Sequence, residues 1–148
     1  MTLCADTSFL LSLYGADANT EAAVRCIQAR RSPLHVQCVS AFEFVNAIRL
    51  REFRGKFTAE EARRIIELYE KDVAAQRVEE VGLDLPAVFD VASELSRSHT
   101  TAIGARAYDI LQVAAAVVLN AGEFLSFDER QRKARGGGGP DGRALSLR

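Results

Sequence analysis

The chain has 148 residues, 48% of them hydrophobic, and a formal net charge of −1. That length supports one domain with a proper core, and the near-neutral charge confines any basic footprint for a polyanion to a local patch. No stretch approaches the ~18 apolar residues of a membrane span, and the first residues lack the basic region and cleavage site of a signal peptide, so a cytoplasmic protein is expected.

Taken in order, Thr2 to Ala5 reads as a short apolar strand, and Asp6-Thr7-Ser8 as a helix start before Phe9, Leu10, Leu11 and Leu13. Asn19 to Arg31 has the apolar spacing of a second helix, broken at Ser32-Pro33. Leu34 to Val39 is a second strand, after which Ser40 caps a helix running to Arg54, with Glu43 in the capping-box position. Thr58 opens a long amphipathic helix to about Gln76, striped by Ala62, Ile65, Ile66, Tyr69 and Val73. Arg77 to Val81 is a brief strand. Leu83 to about His99 is a helix with Pro86 in its first turn, followed by a loop over Thr100 to Ala107. Asp109 then heads a nearly unbroken apolar run from Ile110 to Ala121, long enough for a helix and too apolar to face water. Asn120-Ala121-Gly122 ends it, and Glu123 to Phe127 is a strand leading to Asp128. A polar helix over Glu129 to Arg135 stops at the glycine run Gly136 to Gly139. With Pro140-Asp141-Gly142 this run reads as a flexible linker, and Ala144 to Leu147 as either an edge strand or a disordered end. The cysteines Cys4, Cys26 and Cys38 have no CxxC spacing and lie in apolar runs, so they read as reduced core residues rather than zinc ligands or disulfides.

Strand–helix alternation gives an α/β fold with a mostly parallel sheet. Three strands then end beside an acid at a helix start: Asp6, Glu43 and Asp128. Asp109 makes a fourth, because a helix of about 13 residues and the strand that returns from it bring its head to the same sheet edge. Each acid has an alternative as a helix cap. Asp109 is the hardest to explain that way, since an unpaired carboxylate is costly at the head of a buried helix. Four carboxylates converging on one edge repel one another and call for a hard divalent cation, Mg²⁺ or Mn²⁺, which favours oxygen ligands. Glu60, Glu61 and Asp84 open exposed helices and read as solvated caps.

The segments ADTSFLL, SAFEFVNA, YDILQVAAA and FLSFDERQRKA, in this order and at these separations, resemble the PIN domains, and among them the VapC-type toxins of bacterial toxin–antitoxin pairs. The resemblance implies a three-layer α/β/α sandwich over residues 1–135, with residues 136–148 as a glycine-rich tail. It also implies Mg²⁺- or Mn²⁺-dependent RNA cleavage. By position, the implied site acids are Asp6, Glu43, Asp109 and Asp128, with Thr7 or Ser8 offering a hydroxyl. Asp128 would hold a second metal or an outer water. Partners implied are RNA, an antitoxin whose terminal segment fills the site groove, and a second copy of the chain. Where such proteins continue into a final apolar strand, this chain has a glycine run. Arg49, Arg51 and Arg54, and Arg130 and Arg132, are candidate phosphate contacts because they follow Glu43 and Asp128 in sequence. Two rival readings remain open. A phosphoaspartate enzyme or receiver domain would also use an acid after the first strand, but lacks its second acid here, where Ser8 stands. A PIN-like scaffold would bind RNA or protein without cutting.

Overall fold

The computed structural model describes residues 2–128 and 145–146. Among them five strands form one sheet: β1 (Leu3–Ala5), β2 (Leu34–Gln37), β3 (Val78–Val81), β4 (Glu123–Leu125) and β5 (Leu145–Ser146). Their order across the sheet is β3-β2-β1-β4-β5. The first four run parallel, and β5 pairs antiparallel with β4, Phe124 opposite Leu145. The end of the chain thus supplies an edge strand. The expected polar helix and the glycine run lie outside the described residues.

The helices are α1 (Thr7–Gly15), α2 (Thr20–Gln28), α3 (Cys38–Phe53), α4 (Ala59–Ala74), α5 (Leu85–Leu95), α6 (Thr101–Ile103) and α7 (Ala107–Val118). Two separate cores sort them into layers. Phe9, Leu10, Ala23, Phe44, Ile48 and Tyr69 put α1–α4 on one face of the sheet. Val88, Ala92, Ile110, Val113 and Ala114 put α5 and α7 on the other. Strand residues alternate accordingly: Leu3 and Ala5 join the first core and Cys4 the second, while Phe124 joins the second and Leu125 the first. This is the expected α/β/α sandwich. The chain winds from β1 outward to β3 over one face, then returns to β4 over the other, so the order reverses between β1 and β4. Ligands of open α/β sheets bind at such a reversal, beyond the C-terminal strand ends.

Several local readings need correction. α3 begins at Cys38, directly off β2, with Gln37 rather than Ser40 at the cap position. Ser40 is therefore inside the helix, its hydroxyl buried without a hydrogen-bond partner, and Glu43 closes no capping box. The fifth helix continues past His99 through a π-helical turn over Ser96–Thr100 into α6. Serine side chains there bond back to the helix backbone, Ser98 Oγ reaching the carbonyls of Glu94 and Leu95, which loosens the regular ladder. Gly104, at φ 65°, closes the helix in a left-handed conformation that a side chain would disfavour. The expected loop is thus shorter than its sequence suggested. Of the cysteines only Cys4 is fully buried; Cys26 is half-buried and Cys38 exposed.

Candidate active site

Asp6 leaves β1 at the point of reversal. Its backbone N–H still donates to the Leu125 carbonyl of β4 at 3.0 Å, as if the strand continued, and its side chain caps α1 by accepting from the Phe9 N–H at 2.8 Å. The carboxyl is fully buried and also accepts from Ser8 Oγ and from Ser126 Oγ, the latter at 2.6 Å. Burial pushes its pKa up to about 7, against the hydrogen bonds from Ser126, Phe9 and Ser8 that favour the charged form; the Asp128 charge adds to the rise. Asp6 is a cap, as one reading had it. A cap needs only one oxygen at the helix mouth, however, and this carboxyl is sealed beneath a second acid's loop.

That loop is held by the same hydroxyls. Ser8 Oγ accepts from the backbone N–H of Phe127 (2.9 Å) and of Asp128 (3.2 Å), and Ser126 Oγ accepts from the Asp128 N–H at 3.0 Å. Phe127 stacks on Phe9, ring centroids 5.6 Å apart. Asp128 is thereby fixed to the head of α1 beside Asp6. Ser8 acts as a bridge between the two acid-bearing segments.

Glu43, in the second turn of α3, is tied to the residue next to Asp6. Thr7 Oγ1 donates to Glu43 Oε2, and so does Gln112 Nε2 from α7. Gln112 Nε2 also donates to Thr7 Oγ1 at 3.0 Å. One turn earlier on α7, Asp109 is buried in the first turn, and its Oδ2 accepts from both the backbone N–H and the Nε of Arg106, each at 3.2 Å. The Arg106 side chain is 70% exposed while that of Asp109 is only 6% exposed, so the guanidinium lies on the solvent side of the acid. The hydrogen bond and charge of Asp109 raise the Arg106 pKa above its ordinary value, with Asp128 and Glu43 contributing. Asp109, Asp128 and Glu43 thus all act on this guanidinium, and Asp128 also acts on Asp6. Among the described residues, no three His, Cys, Asp or Glu side chains form a preformed ligand cluster. Protein donors hold the acids instead: Ser8 and Ser126 on Asp6, Thr7 and Gln112 on Glu43, and Arg106 on Asp109.

Of the basic candidates, three are on or just past α3. Arg49, Arg51 and Arg54 lie six to eleven residues beyond Glu43 on α3, roughly 9–16 Å along its axis. Arg51 and Arg54 line a cleft of about 430 Å³ with Gly15, Asp17, Lys56 and Phe57, at the far ends of α1 and α3. Arg130 and Arg132 lie outside the described residues. Arg106, a cation paired with Asp109, went unnoticed in the sequence, as did Gln112 and Ser126. Arg106 and Gln112 could have been found three residues either side of Asp109, a spacing that shares its helix face. Ser126 could have been found as a polar break two residues before Asp128.

Beside the acids an apolar groove of about 400 Å³ runs between α3, α5 and α7, lined by Val39, Phe42, Leu85, Phe89, Tyr108 and Leu111 among others. Tyr108 closes its inner end by donating to the Val39 carbonyl at 3.1 Å. Among the described residues no helix is long and apolar enough to cross a membrane.

A comparison with curated protein sequences finds no match. Solved structures share the fold. VapC20 of Mycobacterium tuberculosis, titled a Sarcin-Ricin loop cleaving toxin, has a TM-score of 0.62 at 15% identity, over 90% of this chain and 95% of that one. A toxin–antitoxin complex from Klebsiella pneumoniae gives 0.61 at 11% identity, over 88% and 90%. FitAcB from Neisseria gonorrhoeae gives 0.62 at 14%, over 90% and 92%. A sequence model of the PIN domain matches residues 3–137, which takes in both acid-bearing strand ends and the helix between them, and the chain therefore belongs to the PIN domain family.

Proposed function

We propose that the chain is a metal-dependent endoribonuclease and the toxin of a toxin–antitoxin pair. Two hydrogen-bond sets at the head of α1 support the reading: Ser8 and Ser126 tie Asp6 to the Asp128 loop, and the neighbouring Thr7, with Gln112, holds Glu43, while Asp109 stands three residues before Gln112 on α7. Family membership, the RNA-cleaving toxin VapC20 and the Klebsiella pneumoniae toxin–antitoxin complex among the structural neighbours support the RNA substrate and the antitoxin.

The residues fit a hard divalent cation. Their donors are oxygen only, which suits Mg²⁺ or Mn²⁺ rather than zinc. Burial raises the Asp6 pKa to about 7, so a nearby positive charge would favour its ionised form. Asp6, Glu43 and Asp109 would hold the ion, with Asp128 outside them or on a second ion. When bound, the ion supplies Lewis-acid activation of water and neutralises charge on the scissile phosphate. The chain's own residues do the rest. Ser8 and Ser126 orient Asp6, Thr7 orients Glu43, and Arg106 stands at the mouth as a cation for the RNA backbone.

The antitoxin's place is the apolar groove beside the acids, filled by an amphipathic segment whose Arg or Lys reaches the carboxylates. A second copy packs on α3, where Phe42 and Phe53 are 70% and 87% exposed. Incubation of a mixed RNA panel with Mg²⁺ or Mn²⁺ tests the activity. Cleavage that is lost in chelator and in Asp6→Asn supports it, and intact RNA under all conditions favours a scaffold that binds without cutting.

A further inference from the structure

We infer that Gln112 is a positioning residue that sets which oxygen of Glu43 is presented at the site. The inference rests on the reading of Glu43 as a metal ligand. Gln112 is 1% exposed on a helix whose other core positions are Ile110, Val113 and a run of alanines. An amide at such a position costs free energy unless its hydrogen bonds are made, and an apolar side chain would fill the space without that cost. What the amide adds is direction. Its two N–H groups go to two acceptors, Thr7 Oγ1 and Glu43 Oε2, while the single Thr7 hydroxyl proton goes to the same Glu43 oxygen. The triangle closes only one way round. Glu43 Oε2 is occupied by two donors, and among the described residues Oε1 accepts no hydrogen bond, so Oε1 is the oxygen left for a cation.

The triangle also fixes Glu43 relative to a second acid. Gln112 follows Asp109 by three residues on α7, so the bond from α7 to α3 registers one proposed ligand against the other. The helix is anchored in turn by Gln37 at the end of β2, whose Nε2 donates to the Gln112 carbonyl at 3.1 Å. Outer-shell donors of this kind, when removed from metal-binding carboxylates, typically weaken metal affinity about 10–100-fold.

Mn²⁺ titration of the whole chain, followed by electron paramagnetic resonance, tests this beside thermal melting in chelator. Gln112→Met keeps the length and packing and removes the donors. It should weaken Mn²⁺ binding by about 10-fold or more while melting in chelator within a few degrees of wild type. Should Gln112→Met fail to fold, Gln112→Asn, whose shorter amide cannot reach both acceptors, should show the same loss. Wild-type Mn²⁺ affinity in either folded variant, with Glu43→Gln impaired, overturns the role of Gln112 and leaves the metal site standing. Equal Mn²⁺ binding by wild type and Glu43→Gln overturns the metal-site reading itself, and the inference with it.

Discussion

Asp6 carries the main electrostatic cost of the site. Its pKa is higher in the fold, about 7, than its ordinary 3.8, so the folded chain binds this proton more tightly than the unfolded one. The corresponding stability is present at low pH, falls as pH rises from about 4 to 7, and is gone above; the full difference is roughly 4 kcal/mol. Thermal melts in chelator should therefore show a loss of about 3 kcal/mol between pH 5 and pH 8 that Asp6→Asn removes. An equal slope in both proteins would show that Asp6 is ionised in the fold without a cation. Arg106 is the second residue to test. Its exposed pair with Asp109 contributes little to stability, about 0–1 kcal/mol. In the Asp6→Asn background, Arg106→Ala should weaken RNA binding and flatten its salt dependence by about 0.7 in log–log slope, one phosphate contact. Arg51→Ala should change neither, because Arg51 sits over Phe57 in the distant cleft.

At the scale of elements, much of the fold is legible in the sequence because burial and punctuation speak directly. The apolar run after Asp109 could only be an inner helix, and α4 shows its start in Thr58 and Glu61, whose reciprocal bonds are both present. Thr58→Ala should lower stability by about 1 kcal/mol and leave RNA cleavage untouched, which makes it a control for variants that lose activity merely by unfolding. Other features were not legible, for physical reasons. Ser40 looked like a cap because Ser and Glu stood at capping-box spacing, yet β2 passes into α3 without a loop and puts the cap three residues earlier, at Gln37. Arg49 to Arg54 follow Glu43 in sequence, but the rise of α3 carries Arg51 and Arg54 roughly 12–16 Å along its axis to a cleft with Gly15 and Phe57. The spacing of Gln112 from Asp109 put it on the same helix face, but its partners, 69 and 105 residues away, could not be read from the sequence.

For the molecule as a whole, the sheet order explains why the segments carrying Asp6 and Asp128 meet. Reversal between β1 and β4 brings the head of α1 and the end of β4 side by side, and the second layer delivers α7 across them. The outer surface makes a separate claim. Phe42, Leu50 and Phe53 on α3 should hold a dimer at micromolar concentration, and Phe53→Asp should return the light-scattering mass to that of one chain. A wild-type mass of one chain would remove the dimer and leave the nuclease reading intact.

If the acids at the sheet reversal cut RNA with a divalent ion, removing either the ion or Asp6 stops cleavage without unfolding the chain. The most direct measurement is cleavage of a mixed RNA panel by wild type, Asp6→Asn and Thr58→Ala, each in Mg²⁺, in Mn²⁺ and in chelator. On this reading wild type and Thr58→Ala cleave only when metal is present, and Asp6→Asn does not cleave although it stays folded. Cleavage by Asp6→Asn at a rate near wild type, or by wild type in chelator, would contradict it.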